Sequence, residues 1–272
     1  MEKKVILLTG ASSGIGYQTA ELLAKQGHMV YGAARRVEKM EALKEFGVKP
    51  IRLDVTSQES IDEAVEAIIK AEGRIDVLVN NAGYGSYGAV EDVSMDEARK
   101  QFDVNIFGVA MLIKKVLPYM RAQHSGTIVN VASIGGRLTT YFGAWYHATK
   151  YALEALSDAL RMETKPFGIN ISIIEPGGIK IPWGFIAADH LAESAKGGAY
   201  EEQAGKIAAG MRKQYEGNMM SKPIIIAKAI SRAVNSRRPK TRYTVGFMAK
   251  PLVWLHGWFP TRWFDAMMMH VS

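Results

Sequence analysis

Apolar and polar positions divide the first 175 residues into short β-branched runs separated by longer stretches with helical periodicity. Such alternation of strand and helix predicts a parallel sheet with helices on both faces. Right-handed crossovers then make the sheet doubly wound. The predicted strands are Val5–Leu8, Met29–Ala33, Pro50–Leu53, Val77–Val79, Thr127–Val131 and Asn170–Ile174. The clearest predicted helices are Gly16–Lys25, Ser60–Ala71 and Asp96–Arg121.

The pattern changes from about Pro176 onwards. Residues 181–218 are rich in Ala, Gly and charge with weak helical periodicity, which indicates a helical lid beyond the sixth strand. Pro223–Ser236 is predicted as a helix and Thr241–Val245 as a seventh strand. Residues 248–272 form a hydrophobic extension with three of the five Trp residues and three consecutive Met. No linker separates these parts, so residues 1–272 are predicted to form one Rossmann-type α/β domain.

The composition narrows the classes of function. The chain has 272 residues and no Cys, which excludes disulfides, thiolate metal sites and Cys catalysis. Its formal net charge is +7, but the basic residues are scattered, so an anionic small ligand is favoured over nucleic acid. The apolar run Val5–Leu8 is too short for a signal peptide, and no run approaches the roughly 18 apolar residues of a membrane span. We therefore expect a cytoplasmic protein without a metal site.

A glycine-rich turn lies between the first predicted strand and the first helix. Its spacing is G-x-x-x-G-x-G. Glycines let the backbone turn tightly and approach a pyrophosphate, and the amides at the start of the helix face the anion. The flanking strand and helix make the motif stronger evidence than its glycines alone. The residues expected to bind a dinucleotide here are Gly10, Ser12, Ser13, Gly14, Ile15 and Gly16.

The end of the second predicted strand indicates which dinucleotide binds. An acidic residue at this point would hold the ribose 2′-hydroxyl of NAD. The sequence instead has Arg35 and Arg36, and no carboxylate occurs before Glu38. Because a guanidinium pairs well with phosphate oxygens, this position favours the 2′-phosphate of NADP.

Candidate catalytic residues lie at the carboxyl ends of later strands, where open α/β sheets bind ligands. Tyr146 and Lys150 are four residues apart in an apparent helix and therefore share a face. A nearby ammonium lowers the pKa of a Tyr, which can then exchange a proton near neutral pH. Ser133 ends the fifth strand, and Asn105 lies in the long helix before it. Further motifs follow the fourth and sixth strands, namely Asn80-Asn81-Ala82-Gly83 and Pro176-Gly177.

Taken in order, these motifs resemble those of the short-chain dehydrogenase/reductase family, in its single-domain branch. The resemblance covers about two-thirds of the chain, from Thr9 to Ile179. Within the family, the chain most resembles NADP-linked enzymes of the 17β-hydroxysteroid and retinol dehydrogenase kind. The features that suggest this are Tyr84-Gly85, Gly143–Lys150 and the Arg238-Pro239 and Arg242-Tyr243 pairs. The resemblance implies an NADP(H)-dependent alcohol/carbonyl oxidoreductase that acts on an apolar ketone, aldehyde or secondary alcohol.

The resemblance also implies a role for each matching residue. Tyr146 would be the general acid in reduction and the base in oxidation. Lys150 would lower the pKa of Tyr146 and hold the nicotinamide ribose. Ser133 would hydrogen-bond the substrate oxygen, and Asn105 would position a water in a proton relay. The other cofactor contacts would come from Asp54, Val55, Asn81, Ala82, Gly83, Pro176, Gly177 and Ile179.

Two further positions, Ile181 and His147, need a separate interpretation. The family usually has Thr where this chain has Ile181, so a hydroxyl contact with the cofactor is in doubt there. His147 lies between Tyr146 and Lys150 in sequence but on another helix face, which favours a structural or surface role.

Alternatives remain open at this stage. A non-catalytic NADP-binding regulator is the main rival, although all four family positions are intact. A sugar-nucleotide epimerase or dehydratase is disfavoured, because the chain lacks the shorter glycine spacing and the larger C-terminal domain. The aromatic tail is expected to wall the pocket or to join subunits of a homodimer or homotetramer. An interfacial membrane anchor is the second interpretation of the tail.

Overall fold

The structure is a computed structural model that describes residues 2–271, with side chains described for residues 2–269. One seven-stranded sheet has the order β3-β2-β1-β4-β5-β6-β7, with every neighbouring pair parallel. This confirms the predicted doubly wound fold. The strands are β1 Val5–Thr9, β2 Met29–Ala34, β3 Lys49–Arg52, β4 Val77–Asn80, β5 Gly126–Val131, β6 Ile169–Pro176 and β7 Arg242–Val245.

Apolar residues on both faces of the central strands explain the layered architecture. All five residues of β1 are buried, and successive side chains of a strand point to opposite faces. Val5 and Leu7 pack in the cluster of one face, whereas Ile6 and Leu8 pack in that of the other. A strand that is apolar throughout therefore requires a helical layer on each side.

Helices supply those two layers. One face is covered by α2, α4 and α5, and the other by α1 and α8. A 3₁₀ stretch, Val37–Phe46, packs beside β2. The helices are α1 Gly14–Lys25, α2 Gln58–Glu72, α3 Met95–Phe102, α4 Gly108–Ala122, α5 Ala144–Thr164, α6 Trp183–Ser194, α7 Glu201–Glu216, α8 Ile224–Asn235, α9 Ala249–Trp258 and α10 Thr261–Val271.

The prediction of one continuous α-helix over Asp96–Arg121 was wrong. A π-helical turn, Asp103–Phe107, separates α3 from α4. The buried side chain of Asn105 lies in this turn and bonds to Tyr84 and Thr149. The widened turn therefore occurs where a polar side chain is directed into the interior, a common situation for π-bulges at functional sites.

Residues 181–218 contain two helices, α6 and α7, that pack on each other. The contact is made largely by small buried side chains, among them Ala187, Ala188, Ala204 and Ala208. Small residues allow two helix backbones to approach closely. The sequence shows weak periodicity here because Ala, rather than large apolar residues, forms the buried stripe.

Charged residues join α5 to the edge of the sheet. Glu175 on β6 is fully buried and lies 3.1 Å from Arg137 and 3.3 Å from Arg242. Arg242 on β7 also reaches Glu154 at 3.0 Å and Asp158 at 2.6 Å, both on α5. One guanidinium thus pairs with carboxylates from two elements and fixes α5 against β6 and β7.

The chain ends in two short helices, α9 and α10, next to the carboxyl ends of the strands. Phe264 and Ala249 are their buried contacts, and the His256 and Phe264 rings meet edge to face at 4.8 Å. Across residues 2–271, none of the helices combines the length and apolar character needed to cross a membrane.

Candidate active site

The glycine-rich turn after β1 has the tight geometry that the sequence predicts. Gly10 has a φ of +70°, which favours glycine. A Cβ added at Gly16 would lie 2.2 Å from the Gly10 carbonyl oxygen, so only glycine fits there. Helix α1 begins at Gly14, which leaves the amides of its first turn directed at the space above the sheet.

A large cavity of about 1310 Å³ lies above the carboxyl ends of the strands. It brings together nearly every predicted site residue. Two predicted residues do not line it: Gly16 is buried in the first turn of α1, and Asn105 is buried behind the wall. The predicted residues that line it are Gly10, Ser12, Ser13, Gly14, Ile15, Arg35, Arg36, Asp54, Val55, Asn81, Ala82, Gly83, Ser133, Tyr146, Lys150, Pro176, Gly177 and Ile179.

Arg35 and Arg36 form a positively charged end of the cavity. Both side chains are exposed at the end of β2. Asp54, after β3, lies near them. The partial burial of its carboxyl group acts to raise the pKa. Hydrogen bonds from Thr56 and the charge of Arg35 outweigh burial, so the pKa of Asp54 lies below its ordinary value. This end of the cavity combines the cations of Arg35 and Arg36 with the Asp54 carboxylate, which suits a phosphorylated ribose and an adenine amine.

Asn81 ties the end of β4 to the turn after β1. Its amide nitrogen donates to the carbonyl oxygens of Thr9 at 3.0 Å and Gly10 at 3.3 Å. The backbone amides of Asn81 and Ala82 both donate to the Thr9 hydroxyl at 3.0 Å. The Asn81 side chain therefore has a structural role that the sequence did not indicate, because it holds the phosphate-binding turn in place.

Tyr146, Lys150 and Ser133 meet at the centre of the cavity wall. Tyr146 and Lys150 lie on α5 and are 7 % exposed each, and the Lys150 Nζ is 5.8 Å from the centroid of the Tyr146 ring. Lys150 donates to the Val131 carbonyl oxygen at 3.1 Å. The Ser133 hydroxyl accepts the Gly135 amide at 3.0 Å and donates to the Pro176 carbonyl oxygen at 3.5 Å, and it interacts with the Tyr146 side chain. Tyr146 and Ser133 can both approach one substrate oxygen, with the Lys150 ammonium beside the Tyr146 ring.

Burial controls the protonation of this group. Desolvation raises the pKa of Tyr146 well above 10, and the bond from Ser133 offsets only part of the shift. Desolvation also lowers the pKa of Lys150 to about 8, opposed by the charge of Glu154. The expectation that Lys150 lowers the pKa of Tyr146 is therefore not met by the protein's own groups, because the phenolate loses hydration and the ammonium lies beside the ring. Tyr146 is held as the neutral phenol, which is a proton donor.

Asn105 organises the wall from behind. Its amide nitrogen donates to the Tyr84 carbonyl oxygen at 2.9 Å and to the Thr149 hydroxyl at 3.1 Å, and its oxygen accepts the Tyr84 amide at 3.2 Å. Both amide hydrogens are therefore committed to protein partners. The water relay implied by the family resemblance stays a prediction, and the side-chain amide hydrogens of Asn105 are not free to serve it.

His147 has a structural role, which was one of the two interpretations that the sequence left open. The other interpretation, a surface position, was wrong. Its ring is buried and bonds to the Gly135 carbonyl oxygen at 2.9 Å and to the Thr140 amide at 3.0 Å. Burial lowers the pKa of His147, which keeps the ring neutral. The residue thus fixes the loop before α5 against the start of that helix.

Ile181 packs over the phosphate-binding turn. A Cβ added at Gly14 would meet the Ile181 Cγ2 at 3.5 Å. Where the family usually has a Thr hydroxyl, this chain therefore covers the turn with an apolar side chain. Ile179, two residues earlier, is buried and forms an isolated parallel β-bridge with Ser221.

Aromatic side chains surround Tyr146. The ring of Trp183 is 5.1 Å from that of Tyr146, and the ring of Tyr87 is 5.9 Å away. Tyr215 on α7 lies 6.5 Å from Trp183 and closes the same wall. The sequence suggested Trp183 as an apolar wall, but it gave no signal for Tyr87 or Tyr215. They come from separate elements that only the tertiary fold brings together.

The C-terminal extension contributes to the cavity wall, as the first of its two interpretations predicts. Leu252 and Leu255 on α9 line the cavity, and so do Met267 and Met268 on α10. Among the described residues, no group of His, Asp and Glu is arranged to hold a metal ion. The cavity is therefore charged at the Arg35 end and apolar at the α9–α10 end.

Comparison with known proteins identifies the class. The family model described as short chain dehydrogenase matches residues 4–184. A 3-ketodihydrosphingosine reductase from Bacteroides thetaiotaomicron is 37 % identical over 261 residues, which cover 94 % of each chain. The chain therefore belongs to the short-chain dehydrogenase family and is an oxidoreductase of that family. The closer resemblance to 17β-hydroxysteroid and retinol dehydrogenases stays a prediction.

Solved structures agree with this assignment. A short-chain dehydrogenase from Streptomyces avermitilis superposes with a TM-score of 0.80 at 36 % identity, covering 94 % of this chain and 92 % of its own. An alcohol dehydrogenase from Thermococcus sibiricus, complexed with 5-hydroxy-NADP, has a TM-score of 0.71 at 26 % identity, covering 91 % and 98 %. Another neighbour, 27 % identical, is complexed with NADH. Related folds thus hold both nicotinamide dinucleotides.

Proposed function

We propose that this protein is an NADPH-dependent reductase of long-chain, apolar ketones. The observation that carries the proposal is that Tyr146, Ser133 and Lys150 line the same cavity as the cationic Arg35 and the apolar residues of α9 and α10. In the order of the sheet, β5, which precedes Ser133, lies between β2, which precedes Arg35, and β7, which precedes α9. A dinucleotide and a hydrophobic substrate would meet at these three side chains.

Several features of the chain support NADP as the cofactor. The glycine-lined turn after β1 has the shape for a pyrophosphate, and Arg35 and Arg36 supply cations where the ribose 2′-phosphate would lie. No carboxylate follows β2 before Glu38, so none lies directly after the strand to hold a 2′-hydroxyl. Asp54, after β3, is already bonded to Thr56. The residues present therefore fit NADP better than NAD.

The chain's own residues would handle the proton. When bound, the nicotinamide supplies a hydride to the carbonyl carbon. Tyr146 Oη then gives its proton to the carbonyl oxygen, and the Ser133 hydroxyl hydrogen-bonds the same oxygen. Lys150, which is buried next to Tyr146, contributes positive charge near the phenolate that forms. Tyr146 is the neutral phenol before this step, so it carries the proton that reduction needs.

The cavity wall supports a long, apolar substrate. Trp183, Tyr87 and Tyr215 flank the catalytic Tyr, and Leu and Met side chains of α9 and α10 continue the wall. The relative from Bacteroides thetaiotaomicron is named for a long-chain keto substrate, and its similarity covers 94 % of this chain.

A substrate panel tests the proposal. Straight-chain ketones of increasing length are assayed with NADPH and with NADH, and kcat/KM is compared. We expect kcat/KM to rise with chain length and to be at least about tenfold higher with NADPH, the size of one charge-assisted hydrogen bond. Equal rates with both cofactors would contradict the cofactor assignment, and rates independent of chain length would contradict the substrate class.

A non-catalytic NADP-binding regulator is the alternative. It predicts tight NADPH binding without turnover of any carbonyl compound in the panel. The complete set of Asn105, Ser133, Tyr146 and Lys150 favours the enzyme, because a protein that only binds the dinucleotide has no use for a neutral, buried phenol next to a Ser hydroxyl.

A further inference from the structure

The two C-terminal helices have one face that packs inward and one face that is directed outward. The inward face buries Ala249 and Phe264. The outward face carries large apolar side chains that nothing in the described chain covers. Those most exposed are Trp254, Trp258, Phe259, Trp263 and Met269.

The exposure of the Trp residues is unusual. Trp254, Trp258 and Trp263 are 60 %, 75 % and 71 % exposed, although Trp is highly buried on average. Trp254 and Trp258 lie side by side, with ring centroids 6.0 Å apart. Exposed apolar patches of this kind mark interaction surfaces.

This surface is continuous with the mouth of the active-site cavity. Leu252 and Leu255 of α9 line the cavity, whereas Trp254 and Trp258 of the same helix are exposed. Met248, just before α9, both lines the cavity and is 39 % exposed. Apolar side chains of α9 and of Met248 therefore lie both in the cavity and on the outer surface.

The charge of this region indicates the partner. Lys250 and Arg262 begin α9 and α10, both are exposed, and Asp265 is the only acidic residue between 248 and 269. Exposed Lys213 of α7 lines the cavity mouth, and the whole chain carries a net charge of +7. Trp rings together with Lys and Arg are the side chains that bind the headgroup region of anionic membranes.

We propose that α9 and α10 lie on the surface of an anionic phospholipid bilayer, with Trp254, Trp258 and Trp263 inserted in the headgroup region. Ten or eleven helical residues are about 15 Å long, half of the ~30 Å hydrocarbon core, so the helices lie in the interface rather than across it. Lipid-dissolved substrates enter the cavity past Leu252 and Met248. Membrane binding does not depend on the proposed reductase activity, whereas substrate entry does.

Vesicle sedimentation tests this proposal without any measurement of turnover. The full chain is mixed with vesicles of phosphatidylglycerol and phosphatidylcholine or of phosphatidylcholine alone. We expect binding to the anionic vesicles, with a blue shift of Trp emission, and at least about tenfold weaker binding to the neutral ones. The variant Trp254→Ser/Trp258→Ser/Trp263→Ser should lose at least about tenfold in binding to the anionic vesicles.

A matched control removes exposed apolar side chains elsewhere. Val90→Ser/Met95→Ser/Met162→Ser changes residues that are 60 %, 52 % and 69 % exposed, and it should bind vesicles like the parent protein. Thermal unfolding of each variant confirms that it is folded. Absence of vesicle binding by the parent, or equal loss in both triple variants, would overturn the proposal. So would a parent oligomer that fails to bind vesicles and becomes monomeric in the Trp variant, because a second copy would then cover the surface.

Discussion

At the scale of single residues, burial explains the chemistry of Tyr146. Its ring lies against Trp183 and Tyr87, and this low-dielectric environment disfavours the phenolate. The same burial lowers the pKa of Lys150 to about 8. Tyr146 is therefore protonated in the free protein, and it loses its proton only as the substrate oxygen gains it.

The first prediction concerns this proton. Tyr146→Phe keeps the ring in its aromatic environment but removes the acid, so kcat should fall by about 10²-fold or more, the range for a general acid. NADPH binding, followed by its fluorescence, should stay within about threefold, since the ring contacts remain. Tyr151→Phe is the control, because Tyr151 is on the same helix but 40 % exposed. Turnover of Tyr146→Phe within tenfold of the parent would contradict the assignment.

The second prediction concerns cofactor choice. Arg35→Asp replaces a cation that can pair with the 2′-phosphate by a carboxylate that repels it and can accept the 2′-hydroxyl. The ratio of KM for NADPH to KM for NADH should rise by about tenfold or more, the value of one hydrogen bond to a charged group. Arg237→Asp makes the same charge change at an exposed residue away from the cavity. If both variants give the parent's ratio, Arg35 is only a surface charge.

The sequence predicted residues in motifs better than residues that act through tertiary contacts. Tyr146 and Lys150 could be found because they share a helix face, and Arg35 because it follows a strand. Neither Tyr87 nor Tyr215 could be found, since each becomes part of the wall only when separate elements meet. The direction of the Tyr146 pKa was also missed, because desolvation depends on the complete cavity wall.

At the scale of elements, the strands were predicted well and the interrupted helices were not. Apolar β-branched runs such as Val5–Leu8 leave little choice of structure when both faces are buried. The π-turn Asp103–Phe107 depends on Asn105 finding Tyr84 and Thr149, which are distant in sequence. Local periodicity cannot report such a contact, so α3 and α4 were predicted as one helix.

The third prediction concerns the helix pair of residues 181–218. The pair lies over the cavity through Trp183 and Tyr215, and its interface is largely Ala, which buries little apolar area per residue. We therefore expect it to open more readily than the sheet and to act as a lid. Amide hydrogen exchange should be faster in α6 and α7 than in β4 or β5, and should slow when NADPH and an inhibitor bind. Strong, equal protection in both states would indicate a rigid pair.

At the scale of the whole molecule, a buried charge network fixes α5, which carries the catalytic residues, against the sheet. Arg242 of β7 pairs with Glu154 and Asp158 of α5, and both Arg242 and Arg137 approach Glu175 of β6. Glu154 lies one turn beyond Lys150 and has one carboxylate oxygen without a hydrogen-bond partner. Three carboxylates thus share two guanidiniums, and the two of them that are buried, Glu154 and Glu175, make the fold sensitive to their protonation.

The fourth prediction is a pH dependence of stability that comes from Glu154. Burial first, and then the charge of Glu175, raise the pKa of Glu154 from 4.5 to about 7, and Arg242 opposes the shift only in part. Between these two values the native protein binds more protons at this site than the unfolded chain does, so stability falls as the pH rises. The stabilising contribution is complete below the ordinary pKa and is lost once the pH passes about 7.

Urea unfolding of Glu154→Gln from pH 5 to pH 8 measures this contribution, because Gln keeps the shape of the side chain and cannot ionise. The variant loses a charged partner of Arg242, which shifts its stability at every pH, so the informative quantity is the slope. The free energy of unfolding of the variant relative to the parent should increase up to about pH 7 and then level off. Glu63→Gln, an exposed carboxyl on α2, should run parallel to the parent. Parallel profiles for Glu154→Gln as well would mean that Glu154 ionises normally and that Arg242 neutralises both Glu154 and Glu175.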